Sequence, residues 1–518
     1  MKVHLLFTDH DLEAEPTLPA QADDLIDDLQ LAPVLDAMAT GDRFLHDVAR
    51  QVLLQPVTDL HQLTHRQDIL RDCLQEPDAV RELYDLAVAT LTDDRPRFLR
   101  WGRTPSSIVS GAIRLLEFHL EMLHQLRDWA ERHAPDLASA GWTTLCRTLQ
   151  EDLAPAYLDT VDDYLRRLRL GDGVTFGARL GRGLKPAGLV LHEPGARVSW
   201  VTQLLPRSRK GLSFAIAPRD EAGARALGEL RDRGLEATAD AVGQAAEHVR
   251  SFVTVLRREL AFYIGCLNLH DRLAAHDAPV CIPQLSDGQV TFTARQLYDP
   301  ALRLQTDGSV VGNDLDADHT RLIVITGANQ GGKSTFLRSL GAAQLMAQCG
   351  MFAPAREMRA DVHDQLFTHF NREEDARMQQ GKLDEELARL GQITEQISPD
   401  SMLLLNESLA STNEREGSQI AYGIVRALVD RGVKIVYVTH LFELAQNLHD
   451  DSVDTDLFLR AERKPDGERT HRIHPGEPQP TSHGQDVYRA VIEQRDTETP
   501  GTEPPPSRAE AENERPCG

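Results

Sequence analysis

Residues 321–345, RLIVITGANQGGKSTFLRSLGAAQL, have the types and spacing that most directly indicate chemistry. An apolar run breaks into a glycine-rich turn and then into a helical pattern, and the turn matches GxxxxGK(S/T). Glycines let backbone N–H groups surround a phosphate, the lysine ammonium can face the β and γ oxygens, and the serine hydroxyl can bind Mg²⁺. The pattern therefore predicts a phosphate-binding loop for ATP with Mg²⁺. The residues predicted to bind the nucleotide are Gly327, Ala328, Asn329, Gln330, Gly331, Gly332, Lys333, Ser334 and Thr335.

A second apolar run ends in polar residues that could complete this site. Residues 401–408, SMLLLNES, have a buried-strand pattern that ends at Asn406 and Glu407. ATPases with such loops carry here the acids that hold Mg²⁺ and polarise the attacking water. Glu407 keeps the carboxylate of a general base, whereas the Asn406 amide offers an oxygen without negative charge, so we predict a weak metal site. The predicted metal ligands are Ser334, Asn406 and Glu407.

A third apolar run, residues 433–438, leads into Thr439 and His440. A histidine at the end of this strand can reach a γ-phosphate. Taken alone, His440 would be an ordinary histidine at a strand end, and its catalytic interpretation depends on the presence of Lys333 and Glu407. The predicted catalytic set is therefore Lys333, Glu407 and His440.

These motifs resemble a known family. TGANQGGKSTFLRSL, LLLNESLASTNEREGSQIAYGIVRAL and VTHLFELAQNL resemble, in order and spacing, the ATPase domain of the MutS family of DNA mismatch-repair proteins. The similarity covers residues 294–494, and PVTDLHQLTHRQDIL at 56–70 resembles the start of the family's helical core. The resemblance implies an ATPase that uses ATP and Mg²⁺, forms a homodimer through its ATPase domain, and contacts double-stranded or branched DNA.

Several residues depart from the family's pattern. By alignment Gly381 matches the glycine of a loop that reaches across the family's dimer, but Leu383 and Asp384 stand where the family has Ser-Thr. Leucine cannot donate a hydrogen bond, so the contact across the dimer must differ. The family has the motif Asp-Glu-x-Gly-Arg-Gly-Thr-Ser, of which this chain keeps only Glu407 and Thr412. Because the other defined positions differ, we predict slow turnover of ATP, with ATP acting chiefly as a conformational ligand. The other defined positions are occupied by Asn406, Leu409, Ala410, Ser411 and Asn413.

Length and composition agree with a large multi-domain protein. The chain has 518 residues and a formal net charge of -24, which argues against a surface that attracts nucleic acid everywhere. Any DNA contact must then come from a local basic patch. The six cysteines contain no CxxC pair and no apolar run approaches the length of a membrane span, so we predict reduced thiols, no membrane contact and a cytoplasmic protein.

The predicted fold is multi-domain, with a mainly α-helical core and lever, a small β-containing insertion, and an α/β P-loop ATPase domain of the ABC type. The glycines between residues 221 and 243 predict two or three consecutive helices there. The resemblance further implies a short relative without the Phe-x-Glu mismatch-reading domain and without a C-terminal nuclease domain. The predicted boundaries are an N-terminal segment 1–24, helical core and lever 25–170, β-rich clamp-like insertion 171–220, returning helices 221–293, ATPase domain 294–494 and disordered acidic tail 495–518.

The β-rich insertion carries the candidate DNA contacts. Its basic side chains could meet phosphates at the tip of a helical arm, although a solvated basic loop explains them equally well. Two functions remain open from the sequence: an ATP-driven clamp or remodeller of DNA in repair or recombination, and a nucleotide-gated protein-binding module with weak or no ATPase activity. The candidate DNA-binding residues are Arg179, Arg182, Lys185, Arg207, Arg209 and Lys210.

Overall fold

The chain folds into two compact units that combine helices with β-sheets. Unit 1 comprises Met1–His319, Arg338–Thr368 and Ser398–Met402, and unit 2 comprises Thr320–Leu337, His369–Ile397 and the described residues from Leu403 onward. The prediction of a multi-domain protein that mixes helices and sheets is confirmed, while the individual domain boundaries stay a prediction. The computed structural model describes residues 1–14, 18–19, 21–93, 104–169, 174–184, 186–192, 215–217, 219–372, 381–464 and 469–479, and the predicted tail 495–518 lies outside them.

The helices and strands follow in chain order. The helices are α1 (Ala22–Asp28), α2 (Ala32–Ala39), α3 (Arg43–Leu53), α4 (Leu60–Gln75), α5 (Pro77–Asp93), α6 (Pro105–His133), α7 (Ala140–Asp152), α8 (Pro155–Leu168), α9 (Glu221–Ala274), α10 (Pro300–Gln305), α11 (Lys333–Ala347), α12 (Lys382–Gln396), α13 (Glu414–Asp430) and α14 (Phe442–Asp450). The strands are β1 (Thr175–Leu180), β2 (Pro186–His192), β3 (Gln284–Ser286), β4 (Phe292–Leu297), β5 (Asn313–Asp316), β6 (Leu322–Thr326), β7 (Glu357–Asp361), β8 (Leu366–Phe370), β9 (Met402–Asn406), β10 (Lys434–Val438), β11 (Asp456–Arg463) and β12 (Arg469–Pro475). No helix among the described residues is both long and apolar enough to cross a membrane.

Amphipathic helices build the core of unit 1. The second half of α9 buries Phe252, Leu256 and Leu260, which recur every four residues along one face and pack into the main hydrophobic cluster. Helices α2, α3, α5 and α6 pack against α9. The helical pattern that the sequence predicts on both sides of the insertion is therefore confirmed. The cysteines that the structure describes, Cys73, Cys146, Cys266, Cys281 and Cys349, are free thiols.

The first residues of the chain pack into this core through Glu259 of α9. The Glu259 carboxylate accepts hydrogen bonds from the backbone N–H groups of Leu5, Leu6 and Leu12, at 2.7, 3.2 and 2.8 Å. The Tyr263 hydroxyl donates to the Leu5 carbonyl oxygen at 2.7 Å. Burial raises the pKa of Glu259 to about 7, although the three N–H donors oppose that rise. Nothing in the sequence pattern of the N-terminal segment predicts this contact.

Helix α9 is a correction to the sequence prediction, because it runs without interruption through 54 residues where two or three helices were expected. A glycine inside a helix costs about 1 kcal/mol relative to alanine, a penalty that packing can offset. The first of these glycines, Gly223, lies in the capped first turn, where its N–H donates to the Asp220 side chain. A Cβ on Gly234 would lie 2.3 Å from the Phe176 ring, so the missing side chain makes room for the insertion.

The described part of the insertion is a β-hairpin. Strands β1 and β2 pair antiparallel, with Thr175 opposite His192 and Leu180 opposite Pro186. Phe176 and Leu191 of the hairpin pack against a small apolar cluster contributed by α6, α8 and α9. The sequence prediction of short strands between two helical stretches is confirmed for these residues, and helices of unit 1 hold the hairpin.

A six-stranded sheet carries the residues of the predicted nucleotide site. Its strand order is β12-β11-β6-β10-β9-β8, with β10 and β11 parallel to β6 and β12 antiparallel to β11. All residues of β6 and β10 are buried, as expected for central strands covered on both faces. Because β6 and β10 are parallel, their carboxyl ends lie at the same edge, where ligands of α/β sheets usually bind.

Candidate functional site

The glycine-rich turn joins the carboxyl end of β6 to the start of α11, in the strand, loop and helix order that the motif predicts. Gly327 and Gly332 have φ values of 116° and 91°, in a region that favours glycine. A Cβ at Gly327 would lie 3.0 Å from the Ala461 backbone nitrogen, and one at Gly331 would lie 2.8 Å from the Ala461 Cβ. Strand β11 thus packs closely against the loop, and glycine is required at these positions.

Lys333 is only 5% exposed and points back into the loop. Its ammonium donates hydrogen bonds to the carbonyl oxygens of Gly327 and Ala328, at 3.0 and 3.1 Å. Burial lowers the pKa of Lys333, and the attraction of Glu407 opposes this effect. The loop therefore contains a buried cation that is held by neutral carbonyl groups, an arrangement suited to an anionic ligand.

Ser334 and Asn406 meet at the same edge of the sheet, although 72 residues separate them in the chain. The Ser334 hydroxyl donates to the Asn406 side-chain oxygen at 2.9 Å. Neighbouring oxygen ligands of an octahedral Mg²⁺ are also about 3 Å apart, because each lies about 2.1 Å from the ion. These two oxygens therefore fit a magnesium site. In the part of the chain that the structure describes, no group of three His, Cys, Asp or Glu side chains could hold a metal by itself.

Glu407 and His440 form a charge pair beside the loop. The His440 Nδ1 atom lies 3.8 Å from the Glu407 Oε2 atom, beyond hydrogen-bond distance but close enough for a protonated ring to attract the carboxylate. The His440 ring holds the pKa of Glu407 below its ordinary value, and Glu407 raises the pKa of His440. Both side chains are about a third exposed, at 34% and 39%. The pair is therefore reachable from solvent, and Glu407 is kept in its ionised form.

The structure brings together the three predicted catalytic residues and the predicted metal ligands, all within unit 2. Of the candidate DNA contacts, Arg179 and Arg182 are exposed on the hairpin region of unit 1. The remaining candidates, Lys185, Arg207, Arg209 and Lys210, lie outside the described residues. Gly381 caps the start of α12, and Leu383 and Asp384 lie in its first turn.

Sequence reasoning missed Arg469, the first residue of β12. Its guanidinium donates to the Gln330 side-chain oxygen of the loop at 2.7 Å. Its positive charge also contributes to the lowered pKa of Lys333, because two cations repel each other. The Arg469 Nε atom is buried and has no hydrogen-bond partner among the described residues. No motif marks this arginine, so only the pairing of β12 with β11 could reveal it.

Two family models match this chain. The model described as MutS2 N-terminal domain matches residues 58–276, and the model described as MutS domain V matches residues 323–492. The first covers most of the helices of unit 1 with the hairpin, and the second covers the six-stranded sheet with the loop, Glu407 and His440. Together they match well over half of the chain.

Curated relatives give the same result. The chain is 30% identical over 212 residues to the DNA mismatch repair protein MutS of Chloroflexus aurantiacus, a match that covers 38% of this chain. It is 35% identical over 169 residues to the MutS protein of Thermotoga neapolitana and 31% identical over 194 residues to that of Methanosarcina barkeri, covering 32% and 36% of this chain. The matches span about a fifth of each relative, at 22%, 21% and 21%. The order of the motifs, the two matching models and these relatives show that the chain belongs to the MutS family.

Proposed function

We propose that this protein binds ATP with Mg²⁺ and hydrolyses it slowly, and that it acts on DNA as a clamp or remodeller in repair or recombination. One observation carries the proposal: a buried lysine, a Ser-Asn oxygen pair and an ionised glutamate meet at the loop between β6 and α11. These groups match the needs of phosphoryl transfer, namely positioned charge at the phosphates and a base near the attacking water.

Each residue of the site has a distinct task in this proposal. Lys333 and the loop N–H groups hold the β- and γ-phosphates, and Ser334 and Asn406 hold Mg²⁺. Bound Mg²⁺ supplies positive charge that offsets the charge developing on the phosphate oxygens. Glu407 accepts a proton from the attacking water, because its depressed pKa keeps it ionised at neutral pH. His440 lies beside Glu407 and faces the γ-phosphate as a hydrogen-bond donor.

The test is a measurement of ATP hydrolysis on a panel of DNA substrates. Matched duplex, branched and mispaired DNA are each added at equal phosphate concentration, and the rate is compared with that of the protein alone. We expect stimulation by duplex or branched DNA and a homodimer that forms through the ATPase domain when ATP is bound. A rate that no DNA changes would remove DNA from the proposal.

Asn406→Asp is expected to lower the Mg²⁺ concentration that gives half of the maximal rate. The substitution keeps the side-chain oxygen near Ser334 and adds a negative charge, which binds a hard divalent cation more tightly. The measurement is the ATPase rate as a function of Mg²⁺ at fixed ATP. Asn413→Asp adds the same charge at the start of α13 and should leave the requirement unchanged. A higher requirement in Asn406→Asp would show that Asn406 is not at the metal.

For DNA, affinity should fall steeply with salt and should depend little on a mispair. We infer that the basic insertion contacts phosphates, which carry no sequence information. Replacing Arg207, Arg209 and Lys210 together by Ala removes three positive charges. The slope of log affinity against log salt should then become flatter by up to about three units. The measurement is a salt titration of both proteins on matched and mispaired duplexes with ATP present.

A charge-matched control separates a local effect from the change in net charge. Lys2, Arg43 and Arg71 have side chains that are 71%, 94% and 49% exposed, and none of them belongs to the insertion. Replacing these three by Ala should leave the slope as in the unmodified protein. Equal slopes in the control and the insertion variant would place the DNA surface elsewhere. A strong preference for the mispair would show that the protein reads mismatches.

A second function is a nucleotide-gated protein-binding module with weak or no ATPase activity. The neutral Asn406 at the metal position, Leu383 at the start of α12 and the net charge of -24 favour it. It predicts that ATP changes the affinity for a protein partner while DNA leaves the rate unchanged. The DNA panel described above distinguishes the two functions directly.

A further inference from the structure

The backbone takes an unusual path immediately after Glu407. Glu407 and Leu409 have φ values of 54° and 61°, the left-handed region that residues with a side chain seldom adopt. Leu409 stands where the resemblance to the family predicts glycine, the residue best suited to this conformation. Such a conformation persists only where surrounding contacts hold it. Contacts with the surrounding elements hold residues 407–411, here termed the 407–411 turn, in this path.

Glu386 of α12 makes two of those contacts. Its side chain is buried, with 4% of the residue exposed. One carboxylate oxygen accepts a hydrogen bond from the Leu409 backbone N–H at 2.8 Å, and the other accepts one from the Ser411 hydroxyl at 2.6 Å. A bond to a backbone N–H fixes the orientation of that peptide group. Glu386 therefore holds the turn at the residue whose conformation is least favourable.

The other side of the turn is held at Ser408. Its hydroxyl donates to the His369 carbonyl oxygen at 2.7 Å, and the Tyr437 hydroxyl donates to the Ser408 carbonyl oxygen at 2.5 Å. The His369 ring lies 2.8 Å from the Ser408 hydroxyl and 3.1 Å from the carbonyl oxygen of Glu386. Burial lowers the pKa of His369 to about 4, so the ring is neutral at pH 7. Helix α12 and strands β8 and β10 thus enclose the turn.

The position of Glu407 depends on this enclosure. Its own N–H donates to the Val438 carbonyl oxygen of β10 at 2.8 Å, which fixes the start of the turn. Its carboxylate lies at the loop edge, about a third exposed, and the side-chain contact that the structure shows for it is the His440 Nδ1 atom at 3.8 Å. The direction of the side chain is therefore set by the backbone of the turn.

We propose that Glu386 is a positioning residue for Glu407: by holding the Leu409 peptide group and the Ser411 side chain, it aims the Glu407 carboxylate at the phosphate-binding loop. This inference rests on the proposed function, because it assigns the orientation of the base in ATP hydrolysis. Glu386 itself does not touch the loop residues in any described contact, so it should affect the rate and not the binding of ATP.

The experiment measures kcat, KM and the number of bound nucleotides for two variants. Glu386→Gln keeps the shape of the side chain but removes its charge and turns one acceptor oxygen into an amide donor. The Leu409 N–H is then left with a neutral acceptor, and the Ser411 hydroxyl has to reverse its direction, so both charge-assisted bonds are weakened. Ser411→Ala removes a single bond and leaves Glu386 bound to Leu409. We expect kcat per bound nucleotide to fall about 10- to 100-fold in Glu386→Gln and less in Ser411→Ala, with KM unchanged in both.

The control is Glu395→Gln, which removes an exposed carboxylate from the same helix and should leave kcat unchanged. An unchanged kcat per bound nucleotide in Glu386→Gln would overturn the inference while leaving ATP hydrolysis in place. If Glu386→Gln does not fold, Ser411→Ala decides: a lower kcat per bound nucleotide supports the inference and an unchanged one overturns it. Failure of the unmodified protein to bind or hydrolyse ATP would instead overturn the proposed function, and the inference with it.

Discussion

Lys333→Ala is expected to weaken the binding of ATP by about tenfold or more, a loss of at least about 1.4 kcal/mol of binding free energy. The ammonium is 5% exposed and its two hydrogen-bond acceptors are carbonyl groups of the same loop. A charge that faces phosphates in such a shielded place attracts them more strongly than it would in water. The measurement is calorimetric titration with an ATP analogue that is not hydrolysed.

The control for Lys333→Ala is Lys2→Ala, which removes an amine whose side chain is 71% exposed. It should bind the analogue like the unmodified protein. A comparison of ATP with ADP adds a second readout, because a lysine that faces the terminal phosphates should matter more for ATP. Unchanged binding of the analogue by Lys333→Ala would remove the nucleotide site from this loop.

The elements of the candidate site that the structure places where the sequence leads one to expect them are those with local signals. The loop between β6 and α11 lies within a dozen residues, and its glycines, lysine and serine are one continuous motif. Strands β9 and β10 are short buried runs, and Glu407 and His440 follow shortly after their last residues. Because β10 is parallel to β6, the carboxyl ends of these two strands lie at one edge. Ser334 and Asn406, which the sequence predicts as metal ligands together with Glu407, also lie at this edge.

The features of the site and the fold that sequence reasoning missed depend on contacts between residues that are distant in the chain. Arg469 reaches Gln330 across 139 residues, and Glu259 reaches Leu5 across 254 residues. Neither pair has a spacing that repeats or a residue type that marks it, because the fold alone brings the partners together. Glu386 was missed for a related reason: an acidic residue in the first turns of a helix is an ordinary feature, and only its burial shows its task.

The error in α9 has the same physical origin. Counting glycines estimates the local cost of a helix, but it says nothing of what packs on the helix surface. Phe176 lies against Gly234, and the side chain of any other residue there would collide with the ring. Gly234, one of the glycines from which a break in the helix was predicted, thus makes room for Phe176 of the hairpin. Phe176 lies 58 residues earlier in the chain. Tertiary packing decided the length of this helix.

Glu407→Gln is expected to lower kcat by about 10²- to 10⁴-fold, the range that a positioned general base contributes. Glutamine has nearly the same shape but cannot take a proton from water. In the proposed function the base acts on the attacking water and Lys333 holds the phosphates, so the affinity for ATP should stay nearly the same. The measurements are single-turnover hydrolysis for the rate and filter binding for the trapped ATP.

A charge-matched control is Glu414→Gln, since Glu414 is another acid whose charge raises the pKa of His440. Glu414 does not act as the base in the proposed reaction. The kcat of Glu414→Gln should therefore fall far less than that of Glu407→Gln. Hydrolysis at the normal rate in Glu407→Gln would place the general base elsewhere.

The substitution Glu407→Gln also gives a readout that does not depend on activity. Glu407 is the main cause of the raised pKa of His440, so a neutral glutamine should return that pKa toward its ordinary value. A group whose pKa falls in this way loses its proton at lower pH, so His440 should titrate at a lower pH in Glu407→Gln than in the unmodified protein. Titration of the His440 ring by NMR in both proteins measures the shift. An unchanged His440 pKa would show that the two side chains are not paired in solution. The raised pKa of His440 could then not be attributed to its place beside Glu407.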